Sequence, residues 1–148
     1  VQNEIVAYRE ENHDQLVDIW QRAVRRTHTF LSEEDIQFYQ HIVRNGALRE
    51  LEVWMEWNTS QEPTGFIGLD GLKIEMLFVD PERHGQGIGS RLIQHAEKIK
   101  GKHLKVDVNE QNEKAYAFYR HYGFVQTARS ALDGSGRAFP LLHMEINK

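Results

Sequence analysis

The chain has 148 residues, with 18 lysines and arginines against 22 aspartates and glutamates and a formal net charge of −4 at pH 7. That length suits one domain over residues 1–148 with a sizeable core, and a mildly acidic chain without a basic stripe excludes nucleic acid as an expected partner. The chain has no cysteine, which excludes disulfides, thiolate metal sites and an intermediate on sulfur, while its short apolar runs make a secretion signal or membrane span unexpected and a cytoplasmic setting the expected one.

Residues Glu4 to Arg9 read as a strand. Asn12, with Gln15 completing a capping box, is predicted to start a helix with an apolar stripe of Leu16, Ile19, Trp20, Ala23 and Val24. A loop over Thr27 to Leu31 precedes Ser32, the predicted cap of a second helix. That helix has Glu33, Glu34 and Asp35 in its first turn, Ile36, Tyr39, Ile42 and Val43 inside, and Gly46 near its end. From Leu51 the period becomes two. Leu51, Val53, Met55 and Trp57 alternate with Glu52, Trp54 and Glu56, as in a half-buried strand. Thr64 to Leu69 and Lys73 to Val79 are two more strands, joined by an Asp70-Gly71 hairpin turn. A helix over 88–100 carries Ile88, Leu92, Ala96 and Ile99 on one face and ends at Gly101. Strand Leu104 to Val108, a helix from Asn112 to Tyr122, and strands near Phe124 to Ala131 and Ala138 to Ile146 complete the order βααβββαβαββ. The βαβ unit over 73–108 makes its two strands parallel, through a right-handed crossover.

The most informative segment runs from Val79 to Leu92. An apolar strand stops at Asp80-Pro81, and Gly85, Gly87 and Gly89 then open a helix. Such glycines remove side chains that would hold a ligand away, and free amides at a helix start face anions with the dipole behind them. A dinucleotide fingerprint would need glycine or alanine at Ser90, and a Walker loop would need Gly-Lys-Ser/Thr, so both fail. The eight histidines form no HExxH or i, i+4 pair and are expected at the surface, with no metal.

His84-Gly85-Gln86-Gly87-Ile88-Gly89 after LFVDP, and the segment Asn112-Glu113-Lys114-Ala115-Tyr116-Ala117-Phe118-Tyr119-Arg120-His121-Tyr122-Gly123-Phe124, together resemble the GNAT superfamily of acyl-CoA N-acetyltransferases. The first matches that family's (R/Q)xxGxG loop, and the second its NxxAxxFYxxxGF helix. Thr27-His28-Thr29-Phe30-Leu31, Asn109-Glu110-Gln111-Asn112 and Phe139-Pro140-Leu141-Leu142 resemble one bacterial branch of it. The resemblance implies an α/β (α+β) GNAT fold, a mixed, mostly antiparallel sheet with a splayed parallel strand pair. It also implies acetyl-CoA as co-substrate, with an amine as acceptor. It maps the pyrophosphate onto the amides of Gly85, Gln86, Gly87, Ile88, Gly89 and Ser90. Backbone atoms of Leu77, Phe78 and Val79, together with Asn109 and Asn112, map to the pantetheine arm. The family usually has Arg or Gln at the place of His84; Arg83 is the candidate substitute.

In the family the tyrosine at the position of Tyr119 lies near the thioester sulfur and protonates the departing thiolate. Asn112 and Tyr119 are nearly two turns apart, about 10 Å, so one extended ligand can touch both. A phenol stays protonated at neutral pH and is close enough in acidity to a thiol to share its proton. Without cysteine the simplest route is direct attack of an amine in a ternary complex. Freeing a lysine-like amine of its proton at pH 7 costs about 4.6 kcal/mol, so a base or a water chain would help. Glu75, early on the strand before the loop, is the first candidate, and His28 the second. The resemblance implies a backbone amide such as that of Phe78 as the oxyanion donor. Phe30 and His28, in the loop after the first helix, are the candidate acceptor contacts. A noncatalytic acyl-CoA sensor is the alternative function, against which Tyr119 argues. The acceptor amine, the acyl length and the oligomeric state stay open.

Overall fold

The computed structural model describes residues 3–146. In chain order the strands and helices are β1 (Glu4–Ala7), α1 (His13–Thr27), α2 (Glu33–Ile42), β2 (Glu52–Trp57), β3 (Pro63–Asp70), β4 (Lys73–Val79), α3 (Ile88–Lys100), β5 (Lys105–Asn109), α4 (Glu113–Tyr122), β6 (Val125–Ser130) and β7 (Leu141–Glu145). The seven strands form one sheet in the order β1-β2-β3-β4-β5-β7-β6. Every neighbouring pair is antiparallel except β4 and β5. The order expected from the sequence and the splayed parallel pair are both present.

Helices cover both faces. On one, Leu16, Ile19, Trp20 and Val24 of α1 and Ile36 of α2 pack with Val53, Met55, Trp57 and Phe66. On the other, Ile88, Leu92, Ile93 and Ala96 of α3 and Tyr119 of α4 pack with Ile67, Leu69, Ile74, Val106 and Val108. The predicted α1 stripe is buried throughout. Coverage of both faces explains the main departure in β2. Glu56, expected on a solvated face, is 1% exposed, because α3 closes over the side of the sheet that strand alternation alone would leave wet.

Smaller departures have local causes. Asn12 makes no side-chain cap; a 3₁₀ turn over Glu10–Asn12 runs straight into α1, and its amide nitrogen bonds Gln15 Oε1 at 2.6 Å. Ser32 and Asp35 form the reciprocal capping box of α2. A π-helical turn over Val43–Ala47 follows that helix, and Ile42, expected inside, is exposed. Ile99 is exposed as well, and Ile93 is the buried residue of α3 that the predicted stripe omitted. The Asp70↔Lys73 pair closes a hairpin over Gly71, whose φ is 59°. The histidines are not uniformly at the surface: His13 is buried between Tyr8 and the carbonyl of Arg44.

Candidate active site

The register of β4 creates the opening. Against β3, Gly68 pairs with Met76 and Leu69 with Ile74, so Glu75 is an extra residue, a β-bulge. A bulge bends its strand and breaks the ladder. Pairing with β5 accordingly stops at Lys73↔Lys105 and Ile74↔Val106, and from the bulge to Val79 no ladder joins the two strands. The sheet forks there. Peptide groups of Leu77, Phe78 and Val79 line one arm of the fork, while the Phe78 ring turns away to pack with Trp20 and Phe66.

Beyond the fork lies the glycine loop. Asp80 accepts from the amide of Glu82 at 3.0 Å and from Arg22 at 2.8 Å, which fixes where the loop begins. Gly85 and Gly87 have φ of 81° and 76°, in the left-handed region that only glycine occupies cheaply. Gly87 is the N-cap of α3 and supplies no capping side chain, and the first turn of α3 carries no acid. The helix start is therefore an uncapped cluster of amides suited to an anion. Arg91 braces the loop from below. It donates to the carbonyl of Gln86 at 2.7 Å and to Glu56 Oε1 at 2.6 Å. Thr64 and Asn3 donate to the same carboxylate. Burial pushes the Glu56 pKa up, but these hydrogen bonds outweigh it and hold the carboxyl below its ordinary range. Nothing in the β2 pattern marked this brace.

A groove of about 460 Å³ separates the loop from α4, with His84, Ser90, Phe118 and Tyr122 among its walls. Lys114 and His121, absent from the sequence-based candidates, also line it. Their seven-residue spacing, two turns on one helix face, was the available signal. Arg83 leans toward Asp80, at 3.8 Å, and His84 is exposed at the groove. Gly89 lets Phe118 approach, since a Cβ there would stand 3.2 Å from the ring. Ile88 is buried against the sheet, so its contribution to the cradle is its backbone.

Tyr119 is 7% exposed, set edge-on to Phe118 and Phe124. Burial raises the pKa of its hydroxyl, so the phenol stays protonated through the neutral range. Asn112 is also buried, and its Oδ1 accepts from the amide of Ala115 at 3.1 Å. It thus caps α4, as the sequence suggested, and only its amide nitrogen is left to face another group. Asn109 is half-buried at the end of β5, its Oδ1 holding the amide of Gln111 at 3.1 Å.

On the α1 and α2 side of the fork the loop aromatics cluster. Phe30 stacks between His28 and Phe139, at centroid distances of 5.4 and 5.8 Å, so the loop after α1 meets the loop between β6 and β7. Arg137 to Asp35 at 2.7 Å and Tyr39 to Asp133 tie the β6–β7 loop to α2. Burial pushes the His28 imidazole down to about 4. That makes His28 a weak proton acceptor, better suited to a neutral wall. Glu75 is exposed and ion-paired to Lys73 at 3.2 Å, and Lys73 also reaches Asp107 across the base of the fork at 2.8 Å. The structure therefore groups Glu75 with the fork and His28 with Phe30. Among the described residues no His, Cys, Asp and Glu group could hold a metal ion, and no helix is long and apolar enough to cross a membrane.

A forked sheet with an anion cradle at its mouth fits a class of enzyme that receives an acyl group on a long phosphate-bearing carrier. The chain belongs to the GNAT acetyltransferases, whose domain description matches residues 49–126. It is 40% identical over 136 residues to the peptidyl-lysine N-acetyltransferase YjaB of Escherichia coli, covering 92% of this chain and 91% of that protein. The solution structure of apo-form YjaB from Escherichia coli matches with a TM-score of 0.91 at 38% identity, over 99% of this chain and 98% of that one. The PaiA N-acetyltransferase of Thermoplasma acidophilum, solved in complex with coenzyme A, shares the fold with a TM-score of 0.80 at 22% identity, over 100% of both chains. The protein is an N-acetyltransferase of this family, and the noncatalytic sensor yields to that reading.

Proposed function

We propose that the protein transfers the acetyl group of acetyl-CoA to the ε-amino group of a lysine within a protein, by direct attack in a ternary complex. The fork that opens at the Glu75 bulge carries this reading, because it gives donor and acceptor opposite mouths on one reaction centre. The likeness to YjaB, named for peptidyl-lysine acetylation, supports the choice of acceptor. Amides of Gly85 to Ser90 hold the pyrophosphate, with Lys114 adding positive charge and His121 a ring N–H at the groove wall. Peptide groups of Leu77, Phe78 and Val79 extend along the pantetheine arm as a missing strand would, and the Asn112 amide meets that arm. One of those amides stabilises the tetrahedral oxyanion. Tyr119 protonates the leaving sulfur; burial keeps the phenol protonated but makes it a weaker acid than the matched acidities expected from the sequence, so the transfer relies on the amine proton that returns to the phenol. Phe30 and His28 wall the acceptor, and Glu75 draws its ammonium to the fork.

Thermal unfolding with acetyl-CoA, ATP and NAD tests the cradle. Only acetyl-CoA should stabilise, by about 2.7 kcal/mol at a hundredfold excess over its Kd. Equal shifts with ATP would overturn the assignment. Tyr119→Phe should lower kcat about 10- to 100-fold on a lysine peptide while leaving the acetyl-CoA melting shift intact.

A further inference from the structure

At the base of the fork the protein already holds a primary ammonium of its own. Ile74, Val106 and Val108 face α3 and α4, so by strand alternation Lys73 of β4 and Asp107 of β5 face the opposite side, where Phe30, His28 and Phe139 cluster. The bulge brings Glu75 to the same side. Lys73 Nζ lies 2.8 Å from Asp107 Oδ2 and 3.2 Å from Glu75 Oε1. Burial alone would lower the pKa of Lys73, but its bonds to the two carboxylates hold it above the ordinary lysine value, so the group is an ammonium. The two carboxylates are not equivalent. The Asp107 side chain is 20% exposed against 34% for Glu75, makes the shorter contact, and is tied a second time, to His143 Nδ1 at 2.6 Å. Burial would raise the Asp107 pKa, yet those two bonds hold it below the usual carboxylate range. Asp107 is therefore the firm partner of Lys73, and Glu75, where the ladder between β4 and β5 has ended, is the loose one.

Charge decides what this floor accepts. Glu75 and Asp107 bring two negative charges and Lys73 one positive. Lys105, opposite Lys73 in the ladder, is matched by Glu145 at 3.7 Å. The floor is left short of one positive charge, which is the charge of a single ammonium. We propose that Lys73 stands in for the acceptor: its ammonium holds Glu75 at the fork until the ammonium of the acceptor lysine displaces it, with Asp107 as the positioning residue that keeps Lys73 beside the exchange. The inference rests on the transferase reading above and on Glu75 as the group that draws the acceptor. The Lys73 and Glu75 side chains are 39% and 34% exposed, and a pair so open to water is held weakly. An arriving ammonium thus meets a modest competitor and not a lock. Because Lys73 cancels one of the two carboxylates, it also suits the fork to an acceptor bearing one positive charge and disfavours polyamines, which bear several.

The test uses two acceptors, a peptide whose single charge is its lysine ammonium and spermidine, with wild type, Lys73→Met and Lys73→Arg. The acetyl-CoA melting shift checks fold and donor site. Lys73→Met should lower KM for the peptide about 2- to 5-fold at unchanged kcat, and should raise kcat/KM for spermidine by a larger factor. Lys73→Arg keeps the charge and should keep the wild-type KM. In a Glu75→Gln background Lys73→Met should bring no gain, because the competition runs through Glu75. A lysine that only welds β4 to β5 predicts something different: Lys73→Met then loses kcat and the acetyl-CoA shift together and improves no KM, a result that overturns the proposal. A peptide KM that stays level or rises overturns it too, as does a full gain in the double variant. Lys73→Gln, which keeps a donor for Asp107, decides the matter if Lys73→Met does not fold. A wild type silent toward the peptide while acetyl-CoA still stabilises it overturns the lysine-acceptor reading, and this inference with it; wild-type turnover with an indifferent Lys73→Met overturns this inference alone.

Discussion

Glu56 and Arg91 differ sharply in exposure, and the difference predicts an asymmetry between their variants. Glu56 is 1% exposed while the Arg91 side chain keeps 43%. Removing the arginine strands a buried carboxylate; removing the carboxylate releases an arginine that can turn to water. Arg91→Met should therefore cost about 3 kcal/mol and Glu56→Gln about 1 to 2 kcal/mol, measured by chemical denaturation. The folded pKa of Glu56 lies below its unfolded value, so its contribution is present above about pH 4.3 and is lost as pH falls through the lower folded value. Glu56→Gln should accordingly flatten the acid limb of stability against pH; an unaltered limb would show that the pair contributes nothing. Arg91 also holds the Gln86 carbonyl, so Arg91→Met should weaken acetyl-CoA stabilisation more than Glu56→Gln does.

At the scale of elements, α3 meets the sheet with almost no clearance. A Cβ on Gly65 of β3 would stand 2.9 Å from Ile88 Cγ2 and 3.0 Å from the carbonyl oxygen of Phe78. One of those neighbours is backbone and cannot step aside. Gly65→Ala should cost about 1 to 3 kcal/mol and reduce the melting shift from acetyl-CoA, because the helix that carries the cradle is pushed outward. A full-sized shift in a folded Gly65→Ala would disprove the coupling. Gly65 also shows where local pattern stops being informative. Helices α1, α3 and α4 and the glycine loop announce themselves through periods and stops contained in a dozen residues. A glycine inside a strand signals only that something approaches closely, and what approaches comes from 23 positions further on, Ile88. Glu56 escaped for a related reason: alternation reads one face as wet, whereas α3 covers it. Likewise Lys73 and Asp107 lie on two strands, and no spacing along the chain brings them together. The glycine loop and the α4 helix were legible because each is written in contiguous residues, whereas the fork was expected from the family resemblance and its bulge at Glu75 left no mark in the strand pattern.

At the scale of the whole molecule, the proposed donor and acceptor walls are separate and can be disturbed independently. The β6–β7 loop is held to α2 by Arg137, which pairs with Asp35 and lies 3.9 Å over the Phe38 ring. Such a partly exposed ion pair and cation–π contact together are worth only about 1 kcal/mol. Arg137→Ala should leave overall stability nearly unchanged and the acetyl-CoA shift intact, yet raise KM for the acceptor several-fold by loosening the loop that carries Phe139. Steady-state kinetics with each substrate varied in turn would check this, and a change in the acetyl-CoA KM alone would contradict it. Seen across its width, the sheet is two plates, β1 to β4 and β5 with β7 and β6, welded along a seam only two residue pairs long. A carrier lying in the fork lengthens that weld. If the carrier lies in the fork as proposed, donor binding should slow amide hydrogen exchange along β5 and β7, and unchanged exchange would contradict that reading.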